Sequence, residues 1–79
     1  MTPRSSMTLC DAPIGARVRI QRLSSRPEIS TRLRELGFCE NAIVRCLMRG
    51  YGNIICEVYD TRVGLNSSLA SGIHVSHLE

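Results

Sequence analysis

The sequence predicts a mainly β fold, a small five-stranded barrel with one inserted α-helix and short helical turns. Five short segments carry the composition or the apolar alternation of strands, and residues typical of tight turns separate most of them. One longer segment repeats its apolar residues at helical spacing. Closure of the strands into a barrel would hide the sheet edges that otherwise pair with other chains.

The chain has 79 residues, which predicts one domain, and a domain of this size buries roughly 60% of the surface of its unfolded chain. Residues 1–7 are polar, and we expect them to form a disordered leader before a domain that spans residues 8–77. Thr8, followed three positions later by Asp11, predicts a capped helical turn, which we expect Gly15 to end.

The first strand is predicted over residues 16–23. Val18 and Ile20 alternate with arginines, which is typical of a strand with one buried and one solvated face. Leu23 breaks the alternation, so we expect a bulge or the end of the strand near Arg22.

The inserted helix is predicted over residues 24–37. Ser25 and Glu28 have the spacing of a capping box, and Pro27 suits the first turn of a helix. Glu28 also precedes Arg32 by four positions, the spacing of a favourable ion pair. One apolar stripe runs along the helix at positions i, i+4 and i+7, namely Ile29, Leu33 and Leu36.

A corner follows the helix. We expect Gly37 to end the helix in the left-handed conformation and Phe38 to pack against Leu33, as in a Schellman motif. Asn41, a residue that tolerates positive φ, would then turn the chain into the next strand. Cys39 is interpreted as a bystander between these two turning residues.

The second and third strands, residues 42–49 and 53–59, are predicted to form a hairpin around Tyr51. Val44, Cys46 and Met48 would then share the inner face of the second strand. In this register Met48 faces Ile54 and Cys46 faces Cys56. We interpret the two opposed thiols as core-filling side chains, with a reversible disulfide as the alternative.

The remaining chain predicts a turn at residues 60–61, a fourth strand over 62–66 and a short capped helical turn over 66–72. A fifth strand would cover residues 73–75, with His74 pointing outward.

Four cysteines in a small chain can indicate disulfides or a metal site, and neither pattern is present here. Their spacing contains no C-x-x-C pair, and no secretory segment accompanies them. No run approaches the roughly 18 apolar residues of a membrane span. We therefore expect a cytoplasmic protein with free thiols at the four positions Cys10, Cys39, Cys46 and Cys56.

We expect no enzymatic activity. Cysteine catalysis requires a nearby base, and the two histidines, His74 and His77, follow the last predicted turn without a catalytic spacing to any cysteine. On a strand these histidines would face opposite sides, so we predict no metal site and no cofactor. Adventitious or weak binding of a transition metal by a loop thiol or a surface histidine is the exception.

The net charge is +3, and every basic residue is an arginine. A nucleic-acid-binding stripe on the first two strands is one interpretation of this charge. The alternative, which we favour, is that the arginines are simply the solvated faces of half-buried strands. The stripe would contain Arg17, Arg19, Arg22, Arg45 and Arg49.

The chain resembles the ferrous iron transport protein A family (FeoA) over residues 8–75. The most specific part is an R-L-x-x-L-G-F block at residues 32–38, supported by Leu9 and Gly15 before it and by an L-A-x-x-I pattern at 69–73. Members are small cytosolic proteins with an SH3-like barrel, so the resemblance implies that fold.

Two positions depart from the family pattern. Asn41 stands where the family usually has glycine, and the same turn can survive because asparagine tolerates positive φ. Asn66 stands where the family often has arginine, so a charge role at that position is lost or moved.

The resemblance implies a non-catalytic accessory protein of ferrous iron uptake. Its expected partner is an FeoB-like membrane transporter, contacted through its cytosolic GTPase domain, with no nucleic acid and no direct membrane insertion. The alternative is a metal-responsive or nucleic-acid-linked regulatory SH3-like module. Our candidate partner-binding residues are Arg32, Arg34, Phe38 and Tyr51.

Overall fold

The computed structural model describes residues 7–78, which form one antiparallel sheet with a few helical segments. The elements are a 3₁₀ turn at Leu9–Asp11, β1 Arg17–Leu23, α1 Pro27–Glu35, β2 Ile43–Arg49, β3 Asn53–Val58, β4 Thr61–Asn66, α2 Ser67–Ala70 and β5 Ile73–His77. The strand order is β4-β3-β2-β1-β5, and α2 connects the two outer strands. The predicted mainly β fold with one inserted helix is confirmed.

The core lies on the inner face of the curved sheet and is mostly aliphatic. Side chains from every strand meet there with residues of the 3₁₀ turn and of both helices. The largest fully buried side chains are Phe38, Leu9, Ile20, Leu33, Ile54, Ile73, Val18, Val44, Val58, Cys46 and Cys56. Because Phe38 is the single aromatic residue among them, branched aliphatic chains and thiols supply most of the volume.

The N-terminal turn is capped as predicted. The Thr8 backbone N–H donates to Asp11 Oδ2 at 3.0 Å, and the Thr8 hydroxyl donates to the same oxygen at 3.2 Å. The turn ends at Ala12, earlier than expected, because Gly15 with φ 86° serves the following turn instead. Residues 1–6 of the expected leader lie outside the described residues. Met7 packs against the core and accepts a hydrogen bond from the Val75 N–H at 2.9 Å.

Strand β1 contains the predicted bulge. Ile20 pairs with Val75 and Arg22 with His74, so Gln21 is the extra residue. The strand continues beyond the bulge to Leu23, which pairs with Ile73. The bulge explains why Leu23 departs from the alternation without ending the strand.

Helix α1 begins without the predicted capping box. Its N-cap is Arg26, which makes no side-chain cap hydrogen bond, and Pro27 occupies the first helical position. The Ser25 carbonyl instead accepts a hydrogen bond from the buried Ser30 hydroxyl at 3.2 Å. The helix therefore starts one residue later than the box requires, and proline at the first position supplies the preorganised φ.

The corner after α1 is a Schellman motif, as predicted. The Phe38 N–H donates to the Leu33 carbonyl at 2.9 Å, and the Gly37 N–H donates to the Arg34 carbonyl at 3.0 Å. Gly37 has φ 108° and Asn41 has φ 73°, so both turning residues adopt positive φ. These bonds satisfy carbonyls that the end of the helix leaves free.

The β2–β3 hairpin has the predicted pairing of Cys46 with Cys56, and both thiols are free and buried. A bulge at Leu47 then shifts the register by one residue. Met48 consequently faces Ile55 rather than Ile54, and its side chain is 58% exposed instead of buried. The bulge reverses the faces of the strand beyond it, which the uninterrupted alternation did not indicate.

The β3–β4 connection is a tight two-residue turn, as predicted, but it lies one residue earlier in the chain. Its two central residues are Tyr59 and Asp60, with φ values of 50° and 61°, where the sequence indicated residues 60–61. Positive φ at both central positions is the signature of a type I′ hairpin turn, which matches the twist of the flanking strands. After β4, the Asn66 side chain accepts from the Leu69 N–H at 2.9 Å and caps α2, as the capped turn predicted.

Candidate partner-binding surface

An apolar groove lies between α1 and α2. Its volume is about 170 Å³, and its lining is Ile29, Arg32, Leu33, Leu36 and Leu69. The predicted stripe of α1 is only partly used by the core: Leu33 is buried, whereas Leu36 is 47% exposed and Ile29 is half-buried. Helix α2 has four residues and cannot cover the whole stripe. The two helices therefore leave apolar side chains accessible beside each other.

Arg32 borders this groove with an exposed guanidinium. The two ion pairs formed within residues 7–78 are Arg34–Glu40 and Arg45–Glu57, so the expected pairing of Glu28 with Arg32 is absent. Such a surface pair contributes only a few tenths of a kcal/mol, too little to hold two long side chains together. Arg32 is thus a cation beside an apolar recess, without an ion-pair partner among the described residues.

Arg34 already has an intramolecular partner. Its Nη2 donates to Glu40 Oε2 at 2.9 Å, and its Nε donates to Oε1 at 3.3 Å. These hydrogen bonds lower the pKa of the Glu40 carboxyl and raise the pKa of Arg34. Both side chains are exposed, so the pair orients the corner more than it stabilises the fold. A partner acid would have to compete with Glu40.

Phe38 is not a surface residue. Its exposed fraction is 0%, and it is the largest side chain of the core. As the second residue after the helix, it packs back onto the helix it follows, the contact typical of a Schellman motif. The interpretation of Phe38 as a partner-binding residue is therefore wrong, and its role is to anchor the corner that carries Arg34.

Tyr51 is fully exposed at the tip of the β2–β3 hairpin. The neighbouring Gly52 carbonyl accepts a hydrogen bond from the Ser67 N–H at 2.9 Å, which ties the hairpin tip to the start of α2. The structure separates the four predicted residues. Arg32 borders the groove, Arg34 lies on the corner, Phe38 is in the core and Tyr51 is at the hairpin tip.

Sequence reasoning missed Leu69 and Tyr59. Leu69 completes the groove from a four-residue helix, where a single leucine has no periodicity to indicate a surface role. Tyr59 lies over the corner: an added Cβ on Gly37 would lie 3.1 Å from Tyr59 Cδ2, and the Tyr59 hydroxyl is 4.0 Å from Cys39 Sγ. The contact with the Cys39 thiol raises the pKa of Tyr59. Cys39 is half-buried beneath this ring.

Neither histidine belongs to a cluster of possible metal ligands within residues 7–78. His74 Nε2 lies 3.0 Å from the Ser24 hydroxyl, and burial together with the nearby Arg22 charge lowers the pKa of His74. His77 is exposed at the end of β5. Within residues 7–78, no three His, Cys, Asp or Glu side chains are arranged to hold a metal ion. Nor does this part of the chain contain a helix long and apolar enough to cross a membrane.

Comparison with known proteins identifies one family. The FeoA domain model matches residues 7–77, nearly the whole chain. No curated protein sequence matches.

Solved structures with the same fold are numerous. An FeoA from Stenotrophomonas maltophilia complexed with zinc is 31% identical, with a TM-score of 0.74, and the match covers 90% of this chain and 91% of that one. It is described as a prokaryotic SH3 domain protein suggested to act as a ferrous iron transport activating factor.

Two further structures share the fold at lower identity. An iron(II) transport protein A from Clostridium thermocellum is 23% identical with a TM-score of 0.84; the match covers 91% of this chain and 46% of that one. A manganese-dependent transcriptional repressor in complex with manganese is 24% identical with a TM-score of 0.86, and the match covers 99% of this chain and 39% of the repressor. The SH3-like fold predicted for this chain is confirmed.

Proposed function

This chain belongs to the FeoA domain family, and on that basis we propose that it is a non-catalytic accessory protein of ferrous iron uptake. It acts in the cytoplasm, docks on the cytosolic GTPase part of an FeoB-like transporter and modulates transport. Family membership supports the link to iron uptake. The suggested activating role of the S. maltophilia relative, which matches over nine-tenths of both chains, supports the accessory role.

The observation that carries the docking proposal is the groove between α1 and α2. It offers half-exposed Leu36, half-buried Ile29 and Leu69, and an adjacent arginine. An apolar side chain from the partner would fill the recess, and burial of a leucine-sized side chain contributes roughly 1.5–3 kcal/mol. Arg32 would then meet a carboxylate beside that side chain. Together the groove and Arg32 fit an acidic, amphipathic segment of the GTPase domain.

The other candidate residues have secondary roles in this arrangement. Arg34 can contribute only by exchanging Glu40 for a partner acid. Tyr51 lies on a tip that is hydrogen-bonded to the start of α2, and it does not line the groove. Phe38 supports the surface from within the core.

Titration of a purified FeoB-like GTPase domain with this protein tests the proposal. We expect Leu36→Ser to weaken binding about tenfold through lost apolar contact, and Arg32→Glu to weaken it further by placing two acids together. Arg26→Glu is the matched control, since Arg26 is an exposed arginine at the opposite end of the same helix and outside the groove. Binding absent at high micromolar concentration would count against the proposal.

The metal-responsive alternative has a separate test. The manganese-dependent repressor is only 24% identical to this chain, so the similarity supports a shared fold but not a shared dependence on metal. Titration with ferrous iron and zinc under reducing conditions distinguishes the two functions: a stoichiometric site of sub-micromolar affinity would favour the regulatory module over the adaptor.

A further inference from the structure

One end of the outer sheet face is apolar and protruding. Tyr51 is fully exposed at the hairpin tip, and just behind it Met48 and its cross-strand neighbour Ile55 are 58% and 37% exposed. The Gly15 N–H donates to the Cys46 carbonyl at 2.7 Å, so the preceding Ile14, which is 52% exposed, runs alongside the same part of β2. This apolar tip exists because the Leu47 bulge turns Met48 away from the core.

A row of charges crosses the sheet next to the apolar tip. Arg17 pairs with Arg45, Arg45 with Glu57, and Glu57 with Arg62, on four successive strands. Three arginines and one glutamate leave two positive charges in this basic row. Only Arg45 forms an ion pair with Glu57, at 3.4 Å. Two arginines directly opposite each other destabilise a sheet, so Arg17 and Arg45 would gain from an external anion between them.

Apart from Glu57 within the basic row, the acidic groups near this face lie towards its other end. Asp60 is in the β3–β4 turn and Glu40 precedes β2, both remote from the hairpin tip along the strands. An open cleft of about 410 Å³ lies next to the basic row, and its charged lining residues are Arg17, Arg45, Glu57 and Asp60. The outer face therefore changes along the strands from apolar to basic to acidic.

We propose that the apolar tip and the basic row dock this protein peripherally on an anionic lipid surface. The tip would enter the headgroup region while the arginines contact lipid phosphates, and the acids would point away from the bilayer. An apolar edge followed by cations is the pattern that interfacial segments use. The excess of positive charge over the whole chain favours the same partner.

An anionic lipid surface fits the apolar tip and the basic row better than other anionic partners do. Nucleic acid would need aromatic side chains free to stack along the basic row. Tyr51 lies beyond the row at the tip, and Tyr59, which lines the cleft, lies against the Gly37 corner and next to the acidic Asp60. An acidic protein partner is an outcome that the experiment below distinguishes. The lipid-docking surface is also distinct from the groove between the helices, so the proposal does not depend on the proposed function. We expected no direct membrane insertion from the sequence. Peripheral docking on the lipid surface adds a membrane contact to that expectation without requiring a segment that spans the bilayer.

Co-sedimentation of the full chain with vesicles tests the inference. The vesicles are phosphatidylcholine alone or phosphatidylcholine containing about one-third phosphatidylglycerol. We expect binding to the anionic vesicles only. Replacing two residues of the apolar tip, Met48→Thr with Tyr51→Ser, should lower the partition coefficient about tenfold. Replacing two of the three arginines of the basic row, Arg17→Gln with Arg45→Gln, should lower it about 25-fold, and raising the salt concentration should also lower it.

Controls separate this inference from folding and from the groove. Leu36→Ser removes an exposed leucine in the groove and Arg26→Gln removes an exposed arginine at the start of α1, and neither should change vesicle binding. Thermal unfolding followed by circular dichroism checks that each variant is folded.

No sedimentation with anionic vesicles would overturn the proposal. So would unchanged binding by the tip variant, which would reduce the site to a general anion-binding surface. Loss of GTPase-domain binding in the arginine variant, without any vesicle binding, would assign the basic row to a protein partner instead.

Discussion

At the scale of single residues, the corner after α1 depends on the backbone of Gly37. Its φ of 108° is one that side chains disfavour, and an added Cβ would lie 3.1 Å from Tyr59 Cδ2 and 3.4 Å from Val58 Cγ1. Two costs therefore act at one position, the strain of a left-handed conformation and the crowding against β3 and its turn. Gly15 and Gly52, the other glycines at positive φ, have open space around the Cβ position, so only the strain would act there.

Gly37→Val should lower the free energy of unfolding by about 1–2 kcal/mol or more, since a β-branched residue at positive φ is strained even without a clash. Urea denaturation followed by circular dichroism measures the change. Gly50→Ala is the matched control, because Gly50 has no positive φ and open space around its Cβ position. A urea denaturation curve for Gly37→Val that coincides with that of the wild type would refute the assignment of this corner.

The two aromatic residues that we first grouped as surface contacts should now behave oppositely. Phe38 is completely buried and Tyr51 completely exposed. Phe38→Ala removes the largest core side chain and should cost about 3–5 kcal/mol of unfolding free energy. Tyr51→Ala should leave stability within about 0.5 kcal/mol of the wild type. Equal effects of the two substitutions in a denaturation series would contradict the burial described here.

At the scale of elements, one side chain caps α2. Asn66 Oδ1 accepts the Leu69 N–H at 2.9 Å, and four residues are too few for a helix to persist on its own propensity. The helix matters for function because Leu69 lines the groove. Asn66 therefore serves this chain as a helix cap.

Asn66→Ala should destabilise the fold by about 0.5–2 kcal/mol and loosen the groove, while Asn66→Asp should retain the cap. Hydrogen exchange of the Leu69 amide reports the local effect, and denaturation reports the global one. Ser68→Ala is the control, because its hydroxyl forms no hydrogen bond within the described residues. An unprotected Leu69 amide in the wild-type protein would contradict the cap.

The two bulges are the other decisive features at this scale. The bulge at Gln21 lets β1 reach Leu23 while keeping Ile73 and Val75 of β5 in the core. The bulge at Leu47 sends Met48 outward and lets Arg49 reach back to donate a hydrogen bond to the Ala12 carbonyl. Each extra residue exchanges the two faces of the strand beyond it, so each determines which side chains are available at the surface.

At the scale of the whole molecule, the core contains two opposed thiols. Burial, followed by the effect of the neighbouring Cys46 thiol, raises the pKa of Cys56 to about 12, whereas its ordinary value is 9.0. Between these two values the unfolded chain loses a proton that the folded chain retains. The unfolded state then binds fewer protons, so the free energy of unfolding must fall as the pH rises through this window.

The contribution of the Cys56 thiol to the free energy of unfolding should therefore be constant below pH 9 and should decrease above it. Denaturation midpoints measured under reducing conditions from pH 8 to pH 10.5 would show the decline. Cys56→Ala should be less stable at pH 8 because it leaves a cavity, yet its midpoint should depend less steeply on pH. Val44→Ala, which also leaves a cavity in the core but removes no titratable group, should keep the wild-type slope. Identical slopes for wild type and Cys56→Ala would remove the basis for this pKa.

Local sequence signals predicted much of the fold. The Schellman corner, the pairing of Cys46 with Cys56, the bulge near Arg22 and the cap of α2 each follow from a few neighbouring residues. The candidate surface was less accessible to the same reasoning. An aromatic residue after a helix-ending glycine is compatible with partial exposure or with complete burial, and only the structure shows that Phe38 is 0% exposed.

The sequence by itself determined, to within about three residues, where helices and strands begin and end, because caps, glycines, prolines and apolar spacing act within a few residues. Only the tertiary structure decided which side chains remain accessible. The groove requires α1 to meet Leu69 more than thirty positions later, and the apolar tip requires the extra residue in β2. Neither depends on a local propensity. Both arise from how distant elements share one small core, which cannot cover every apolar residue in a chain of this length.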